Sequence, residues 1–576
     1  MSIRSIDTGL LLSQPYPSLA QLRAQILADE ALPLRRRQDI ASACRSLSQA
    51  LGQPLDAILA EPCQLRTALQ GLTPAMAGMA PGRWRNILSL LRHAMGHLGL
   101  ISVPGRFQLP PSAAWTVLLE QLGAYGDRYI LSRFARYCTS TGLGPAQVDD
   151  AVLATYLQDL ETQSLEQDPK RAQRDTAVKW NRAADRLPDW PQQRLAVADN
   201  RNIYAKPWES FPASLQADVA AWLDWLGSTD PLLERDFRPL RPISVAGRKR
   251  QLHEYLSGLV LQGEDPAGML DLASVVTPER ASKGLLFFWE RARKKKSVHG
   301  GHVASLLLAI ARHWAKLPAA EITRLKSMGK RIALHHASMT PRNRTRLRAL
   351  DDPARRDALL MLPEQLRAEV VREKVPAPHL AQRLQTAVAI ELLTMAPIRL
   401  KNLAELQIGS TLLRDHQGRM TICLPEAMVK NHQALEIALP AATAKLIDLY
   451  LKTYRPLLGV AGSDWLFPGH TPAGHKSCDG LRDQISRAIA DRCGLVFTPH
   501  LFRHFSALLI LQDNPGAHGQ VQRVLGHTTV KTALTYYTGL ETGAAFLHYD
   551  QQVLRLREEA GNLPTRPRSA HRKAAR

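Results

Sequence analysis

Acidic residues are scarce in this chain relative to basic ones. Its 52 aspartates and glutamates are outnumbered by 74 lysines and arginines, which gives a formal net charge of +22. A folded protein with such an excess of positive charge typically binds a polyanion, most often nucleic acid. An anionic membrane surface is the alternative partner for so basic a chain.

Long apolar runs are also missing. A membrane-spanning helix needs roughly 18 uninterrupted apolar residues, and no stretch of this chain approaches that length. The apolar run Leu10–Leu12 near the N-terminus is too short for the core of a signal peptide. The sequence therefore favours nucleic acid over a membrane as the partner.

The six cysteines are scattered, without a CxxC pair or the spacing of zinc ligands. Scattered cysteines of this kind are typical of reduced thiols inside the cell. We therefore expect a cytoplasmic protein with no metal and no other cofactor. Nucleic acid as its partner would make it nucleoid-associated.

The chain is long enough for several domains, and its first part reads as helices. The chain has 576 residues, 45% of them apolar. At about 150 residues per domain, this length predicts three or four domains. The stretches 35–59, 127–153 and 247–272 each have a basic start, an amphipathic helix, a glycine turn and a second apolar segment. These are either diverged helical repeats or the chance likeness of unrelated helices. We predict helical domains at 1–105, 106–200 and 210–335.

The pattern changes after residue 340. An apolar helix at 386–397 precedes two strand-like runs at 420–424 and 434–440, and a second apolar helix follows at 442–451. This predicts a domain at 340–560 that is mainly α with a small antiparallel β-sheet, an α+β arrangement.

Two basic segments lie outside this pattern. The run 291–297 has four basic residues in a row, and it is either a solvated turn or a loop that contacts phosphates. The segment 561–576 is rich in basic residues and has no acidic one, which predicts a disordered basic tail.

His500 and Arg503 are three residues apart in the segment TPHLFRH. Thr498 is placed to cap a helix and Pro499 to occupy its first turn. The histidine and the arginine would then share a helical face and meet a single ligand. Such a pair is common by chance in a chain this rich in basic residues.

Two further basic residues stand at junctions between predicted elements. Arg399 follows an apolar helix, where a buried guanidinium must meet an acid, a carbonyl or a bound anion. Lys430 lies between the two strand-like runs, so it would project from a β-hairpin. Alone, each has an ordinary interpretation: a structural ion pair and an exposed lysine.

The segment 524–539, VLGHTTVKTALTYYTG, predicts two helices with a corner between them. Gly526 would end the first helix as a C-terminal cap, which puts His527 at the corner, and Thr528 or Thr529 would cap the second. Tyr536 lies off the predicted buried stripe and is free to face a cleft. That stripe has the spacing i, i+3, i+4, i+7 and consists of Val530, Ala533, Leu534 and Tyr537.

Taken in order, these residues resemble the motifs of the tyrosine site-specific recombinases, also called the phage integrase family. The likeness covers roughly residues 340–550 and rests on the order and spacing of APIRLKNLAEL, a hairpin lysine, WLFPG, TPHLFRH and LGH with a tyrosine nine residues later. No single motif is specific, but the joint match is. It implies six catalytic residues, namely Arg399, Lys430, His500, Arg503, His527 and Tyr536.

The resemblance implies a DNA recombinase that cleaves and rejoins strands through a 3′-phosphotyrosyl intermediate, without metal or ATP. It also implies double-stranded DNA and a homotetramer as the working assembly, with the N-terminal helices as core-binding-type modules that clamp the duplex. Two other functions stay open: a type IB-like topoisomerase, and a non-catalytic DNA-binding protein on the same fold.

Three features depart from the family pattern. Asn402 stands where an acidic residue is common three positions after the first arginine. The hairpin around Lys430 lacks the usual glycine-rich turn. A minimal family member needs only one domain of ordinary size before the catalytic motifs. The region before the motifs of this chain is about three times longer than that.

Overall fold

The computed structural model describes residues 16–103, 109–122, 125–197, 204–334, 339–430, 433–459, 462–469, 473–537 and 542–561. The chain divides into two compact units. One contains Met1–Ala198 together with Ser338–Arg576, and the other contains Asp199–Ala337. The predicted basic tail falls almost wholly at 562–576, outside the described residues.

The first helices of the chain pack around an apolar core that includes Leu47, Trp84 and Leu91. Ser18 begins the first of them with a capping box, in which its hydroxyl accepts from the amide of Gln21 and the Gln21 side chain accepts from the amide of Ser18. The helices are α1 Leu19–Ala28, α2 Leu34–Leu51, α3 Pro62–Leu69 and α4 Pro81–His97.

The next four helices enclose a core rich in aromatic rings. The rings of Phe134 and Tyr156 lie 5.0 Å apart edge to face, and those of Trp180 and Trp190 lie 5.2 Å apart. The helices are α5 Ala113–Glu120, α6 Tyr125–Ser140, α7 Asp150–Thr162 and α8 Pro169–Arg186.

The unit Asp199–Ala337 has a separate core, built from residues such as Trp222, Tyr255 and Phe288. Two of its helices approach closely, because a Cβ atom on Gly258 would lie 2.8 Å from the Phe287 ring. Its helices are α9 Ala213–Gly227, α10 Pro242–Leu261, α11 Leu272–Val275, α12 Pro278–Arg291, α13 Val298–His313 and α14 Ala319–Ile332.

Each of the three similar N-terminal stretches has the predicted glycine turn. Gly52, Gly142 and Gly263 follow α2, α6 and α10 with φ angles of 64°, 73° and 87°. Glycine adopts this left-handed conformation without the steric penalty of a side chain. The repeat relation between these stretches stays a prediction. The domain boundaries given above stay predictions as well.

The remaining residues are mainly helical with one small sheet, as predicted. The long helix α17 is buried along most of its length. The elements are α15 Pro341–Arg348, α16 Pro353–Arg372, α17 Pro378–Met395, α18 Leu400–Ala404, β1 Leu412–Arg414, β2 Met420–Leu424, β3 Leu435–Ala438, α19 Ala441–Leu449, α20 Cys478–Cys493, α21 Leu501–Asp513, α22 His518–Leu525, α23 Val530–Tyr537 and α24 Thr542–Gly561.

The sheet has the order β1-β2-β3, and both pairs are antiparallel. The Cα atom of Ile422 lies opposite that of Leu412 on one side and that of Ile437 on the other. The two predicted strand-like runs correspond to β2 and β3, and Lys430 lies in the connection between them. The sequence pattern did not predict β1.

Two local predictions were wrong. The helix α21 begins at Leu501, and no side chain caps it, so Pro499 and His500 precede the helix. The predicted buried stripe of α23 is only half buried, since Ala533 and Tyr537 are 0% and 3% exposed but Val530 and Leu534 are 38% and 44% exposed.

None of the helices in the described part of the chain is both long and apolar enough to cross a membrane.

Candidate active site

Arg503 lies at the centre of the candidate site and is only 5% exposed. One terminal nitrogen of its guanidinium donates to the carbonyl of Pro397 at 2.6 Å, and the other donates to the carbonyl of Leu525 at 2.6 Å. Pro397 is two residues before Arg399, and Leu525 is two residues before His527. One buried guanidinium therefore draws together three segments that carry candidate residues.

Arg399 immediately precedes α18 and is half-buried. Burial lowers its pKa from the ordinary value. Its positive charge in turn helps to lower the pKa of Arg503 to about 10, after the larger effect of burial. The two guanidiniums therefore lie close enough to interact electrostatically.

His500 lies just before α21, at the solvent-facing edge of this group. The protein that surrounds its imidazole lowers the pKa, and the charges of Arg503 and Arg399 lower it further. At neutral pH the ring is therefore uncharged and can accept a proton.

His527 follows Gly526, which ends α22 in a left-handed conformation with φ of 58°, as predicted. Its backbone amide donates to the carbonyl of Gln522 at 2.9 Å. Burial, followed by the charges of Arg503 and Arg399, lowers the pKa of its imidazole to about 4. A neutral imidazole still offers one N–H donor to a ligand.

His504 was not among the residues predicted from the sequence, yet it contacts both His500 and Tyr537. Its ring centroid lies 5.0 Å from that of His500 and 5.5 Å from that of Tyr537. Burial, followed by the charges of its neighbours, lowers the pKa of His504 to about 4. Its spacing of four residues from His500 was the available signal, because such a spacing puts side chains next to each other.

The two tyrosines at the end of α23 have different surroundings. Tyr537 is 3% exposed, as its predicted place in the core requires, and its ring stacks on His527 with centroids 6.2 Å apart. Burial raises the pKa of Tyr537 to about 12. Tyr536 is 42% exposed, and its ring lies 6.5 Å from that of Tyr537. Tyr536 is therefore connected to the histidines through the ring of Tyr537.

Lys430 is exposed in the connection after β2. Its link to the other candidates is indirect and passes through Asn402, whose side-chain amide donates to the carbonyl of Met428 at 3.0 Å. Asn402 belongs to α18, the helix that Arg399 precedes. The connection that carries Lys430 is therefore tied to the Arg399 segment.

Positive charge dominates this group. Among the described residues, the charges that lower the pKa values of His500, Arg503 and His527 come from arginines, and no carboxylate acts on them. Closely spaced guanidiniums repel each other unless an anion lies between them. Planar guanidiniums suit the oxygens of a phosphate. Within the same residues, no group of three or more His, Cys, Asp or Glu could hold a metal ion.

Comparison with known proteins finds a family match for part of the chain. Residues 364–542 match the model of the phage integrase family. This segment is a phage integrase family domain. No curated protein matches the chain.

Several solved structures are similar to the chain that carries this integrase domain. The XerA recombinase is 15% identical with a TM-score of 0.26, and the match covers 54% of this chain and 92% of XerA. A lambda integrase (75-356) dimer bound to a COC′ core site is 17% identical with a TM-score of 0.34, covering 57% and 96%. The XerH site-specific recombinase bound to difH is 14% identical with a TM-score of 0.29, covering 61% and 98%.

Proposed function

We propose that this protein is a site-specific DNA recombinase, which breaks and rejoins DNA strands through a 3′-phosphotyrosyl intermediate. The observation that supports the proposal is the double hydrogen bond of Arg503, which ties its guanidinium to the carbonyls two residues before Arg399 and His527. The integrase family match over 364–542 supports the same reaction class.

The first requirement of the reaction is to neutralise a phosphodiester. As a nucleophile attacks, negative charge builds up on the two non-bridging oxygens of the phosphorus. Arg399 and Arg503 would hold these oxygens through charge-assisted hydrogen bonds. The neutral ring of His527 would donate a further hydrogen bond to one of them.

The second requirement is to move two protons. The attacking phenol loses a proton, which the neutral imidazole of His500 would accept. The leaving 5′ oxygen needs a proton as the bond from phosphorus breaks, and Lys430 would supply it. The bond from tyrosine to phosphorus replaces the broken phosphodiester, so that a free 5′ hydroxyl can later reverse the step without ATP.

We assign the nucleophile to Tyr536. Tyr537 packs with Ala533 in the apolar core and anchors α23, whereas Tyr536 presents its phenol to solvent, where a duplex can reach it. The stacking of Tyr537 on His527 makes Tyr537 the competing candidate.

We further propose that four copies of the protein act together on two DNA sites in the cytoplasm. In each copy, the helical region before residue 338 would bind the duplex. The net charge of +22 supports this partner, because contacts to many phosphates supply most of the affinity for DNA.

Covalent trapping with a matched pair of variants tests the proposal. Tiled duplexes from the DNA that flanks the gene are incubated with the full chain, and adducts that survive denaturant are measured. Tyr536→Phe removes only the nucleophilic hydroxyl and should abolish the adduct. Tyr537→Phe keeps the ring that stacks on His527 and should retain it.

The reverse pattern would transfer the nucleophile to Tyr537. Absence of any adduct with the unaltered chain, despite salt-sensitive binding to the same duplexes, would contradict the recombinase proposal and favour a non-catalytic DNA-binding protein.

A further inference from the structure

Asn402 stands where the family resemblance leads one to expect an acidic residue. Its side chain is an amide, whose chemistry differs from that of a carboxylate. Its side chain is only 4% exposed. The side-chain amide donates a hydrogen bond of 3.0 Å to the carbonyl of Met428. A buried hydrogen bond of this kind is costly to lose, because the carbonyl would be left without a donor.

The accepting carbonyl lies two residues before Lys430. The residue between them, Val429, is 4% exposed and belongs to the apolar core of the integrase domain. The chain that leads into Lys430 is therefore held at two successive residues, by a hydrogen bond at Met428 and by apolar packing at Val429. The exposed lysine begins from a fixed point.

The same device occurs at two other candidate residues. Arg503 donates to the carbonyls of Pro397 and Leu525, each two residues before a candidate catalytic residue. Buried side chains thus hold three backbone carbonyls, and each carbonyl precedes Arg399, His527 or Lys430 by two positions.

We propose that Asn402 is a positioning residue for Lys430, an inference that rests on the proposed function. By holding the Met428 carbonyl, Asn402 keeps the base of the lysine next to the segment of Arg399. The lysine can then reach the leaving 5′ oxygen of the phosphate that the arginine binds. Misplacement of a reacting group by about 1 Å can cost about 100-fold in rate.

The amide group is essential to this role. A carboxylate at position 402 would have no hydrogen to donate at neutral pH, and its charge would repel the carbonyl oxygen. Asn402→Asp therefore introduces the residue type common in the family but should impair this chain. Asn402→Ala should impair it too, because it removes the donor.

The experiment compares two versions of the shortest duplex that the unaltered chain cleaves. In one version, sulfur replaces the bridging 5′ oxygen of the scissile phosphate. A thiol has a pKa of about 8.5, so the sulfur departs without receiving a proton and needs no general acid. Lys430→Ala provides the benchmark, with slow cleavage of the oxygen substrate and restored cleavage of the sulfur substrate.

Asn402→Ala and Asn402→Asp should follow that benchmark. We expect cleavage of the oxygen substrate to fall by about 10- to 100-fold, and cleavage of the sulfur substrate to match that of the unaltered chain. Lys401→Ala is the control: it removes an exposed cation from the same helix but leaves the bond to Met428 intact. It should cleave both substrates normally.

Hydrogen exchange of the free protein provides a readout without DNA. The peptide that contains Met428 and Val429 should exchange faster in both Asn402 variants. Its exchange rate should be unchanged in Lys401→Ala. Equal loss of cleavage on both substrates would overturn the inference, since it would show a general structural role. Faster exchange with normal cleavage of the oxygen substrate would overturn it as well. If the unaltered chain cleaves neither substrate, the proposed function itself fails, and the inference fails with it.

Discussion

Arg503 combines two tasks in one side chain. Its guanidinium has five N–H groups, and two of its nitrogens already donate to buried carbonyls at 2.6 Å. The same group lies close enough to His500 and His527 to lower both of their pKa values. The residue that gathers the site therefore also supplies its charge.

Arg503→Lys should separate these tasks. A lysine keeps the positive charge but cannot donate to two carbonyls in a planar fork. One carbonyl left unpaired should destabilise the protein by about 1–3 kcal/mol. The lost transition-state donor should slow cleavage by about 10²- to 10³-fold.

Thermal unfolding and the covalent adduct measure the two effects. Arg523→Lys, at an exposed position of α22, is the matched control and should change neither. A variant Arg503→Lys that melts with the unaltered chain would show that the two hydrogen bonds contribute nothing to stability.

The buried histidines predict a pH dependence of stability. The pKa of His504 is about 4 in the folded protein, against about 6.5 in the unfolded chain. Below about pH 6.5 the unfolded chain binds a proton that the folded protein excludes, so stability is full above that pH and falls as the pH drops towards 4. The slope is at most about 1.4 kcal/mol per pH unit for each such histidine.

The melting temperature between pH 7 and pH 4 tests this prediction through two variants. His504→Gln should show a smaller fall in melting temperature than the unaltered chain, because one proton-linked group is gone. His379→Gln replaces an exposed histidine of α17 and should leave the fall unchanged. Identical falls in both variants would contradict the assignment.

At the scale of elements, the corner between α22 and α23 sets the direction of His527. Gly526 takes a φ of 58° there, a conformation that costs a residue with a side chain roughly 1–2 kcal/mol. The corner thus depends on a residue that no other amino acid replaces without strain.

Gly526→Ala should therefore lower stability by about 1–2 kcal/mol and reduce adduct formation, because His527 moves with the backbone. Gly519→Ala is the matched control within α22, since its Cβ would meet nothing within 4 Å. Alanine favours a helix over glycine, so this control should be neutral or stabilising. Equal effects of the two substitutions on melting and on the adduct would contradict the account of the corner.

The sequence predicted the elements that have a clear local signal, such as apolar alternation or a glycine cap. The apolar alternation of β2 and β3 placed Lys430 in their connection, and the Gly526 cap placed His527 at a corner. It missed β1, which has three residues, only one of them buried, and so no alternation to detect.

Other misses have local or tertiary causes. The helix α23 has only eight residues, and it presents Ala533 and Tyr537 to the core while Val530 and Leu534 stay exposed. The expected cap at Thr498 did not form because the backbone carbonyl of Thr498, and not its hydroxyl, accepts from the amide of Leu501 at 2.8 Å. The spacing of His504 from His500 was a local signal, but its contact with Tyr537 is distant in sequence. The bond of Asn402 to Met428 is equally distant, and local spacing does not reveal it.

At the scale of the whole molecule, the excess of positive charge is spread beyond the candidate site. The segment 293–296 has four consecutive basic residues, all exposed. Arg293 and Lys294 have φ angles of 54° and 56°, which are unusual for residues with side chains. The structure thus presents a tight, strongly basic turn in the unit Asp199–Ala337.

The salt dependence of DNA binding tests whether this turn contacts phosphates. Each phosphate contact contributes about 0.9 to the slope of log K against log salt. Replacing Lys294, Lys295 and Lys296 by glutamine should therefore reduce the slope by up to about 3.

The control changes the net charge equally at three solvent-accessible arginines that already form ion pairs. These are Arg355, Arg367 and Arg482, paired with Asp352, Glu364 and Asp479. Replacing them by glutamine should change the slope less than the lysine variant does. Equal slopes in the two variants would show that only the overall charge matters.

The Arg503 group is proposed to activate one DNA phosphate for attack by Tyr536. Mass spectrometry of the trapped and nuclease-digested adduct tests it most directly. Tryptic cleavage after Lys531 releases a peptide that contains both tyrosines, and fragmentation locates the attached nucleotide. We predict a 3′-phosphonucleotide on Tyr536. A nucleotide on Tyr537 or on any other residue, or none at all on DNA that the chain has cut, would contradict the account.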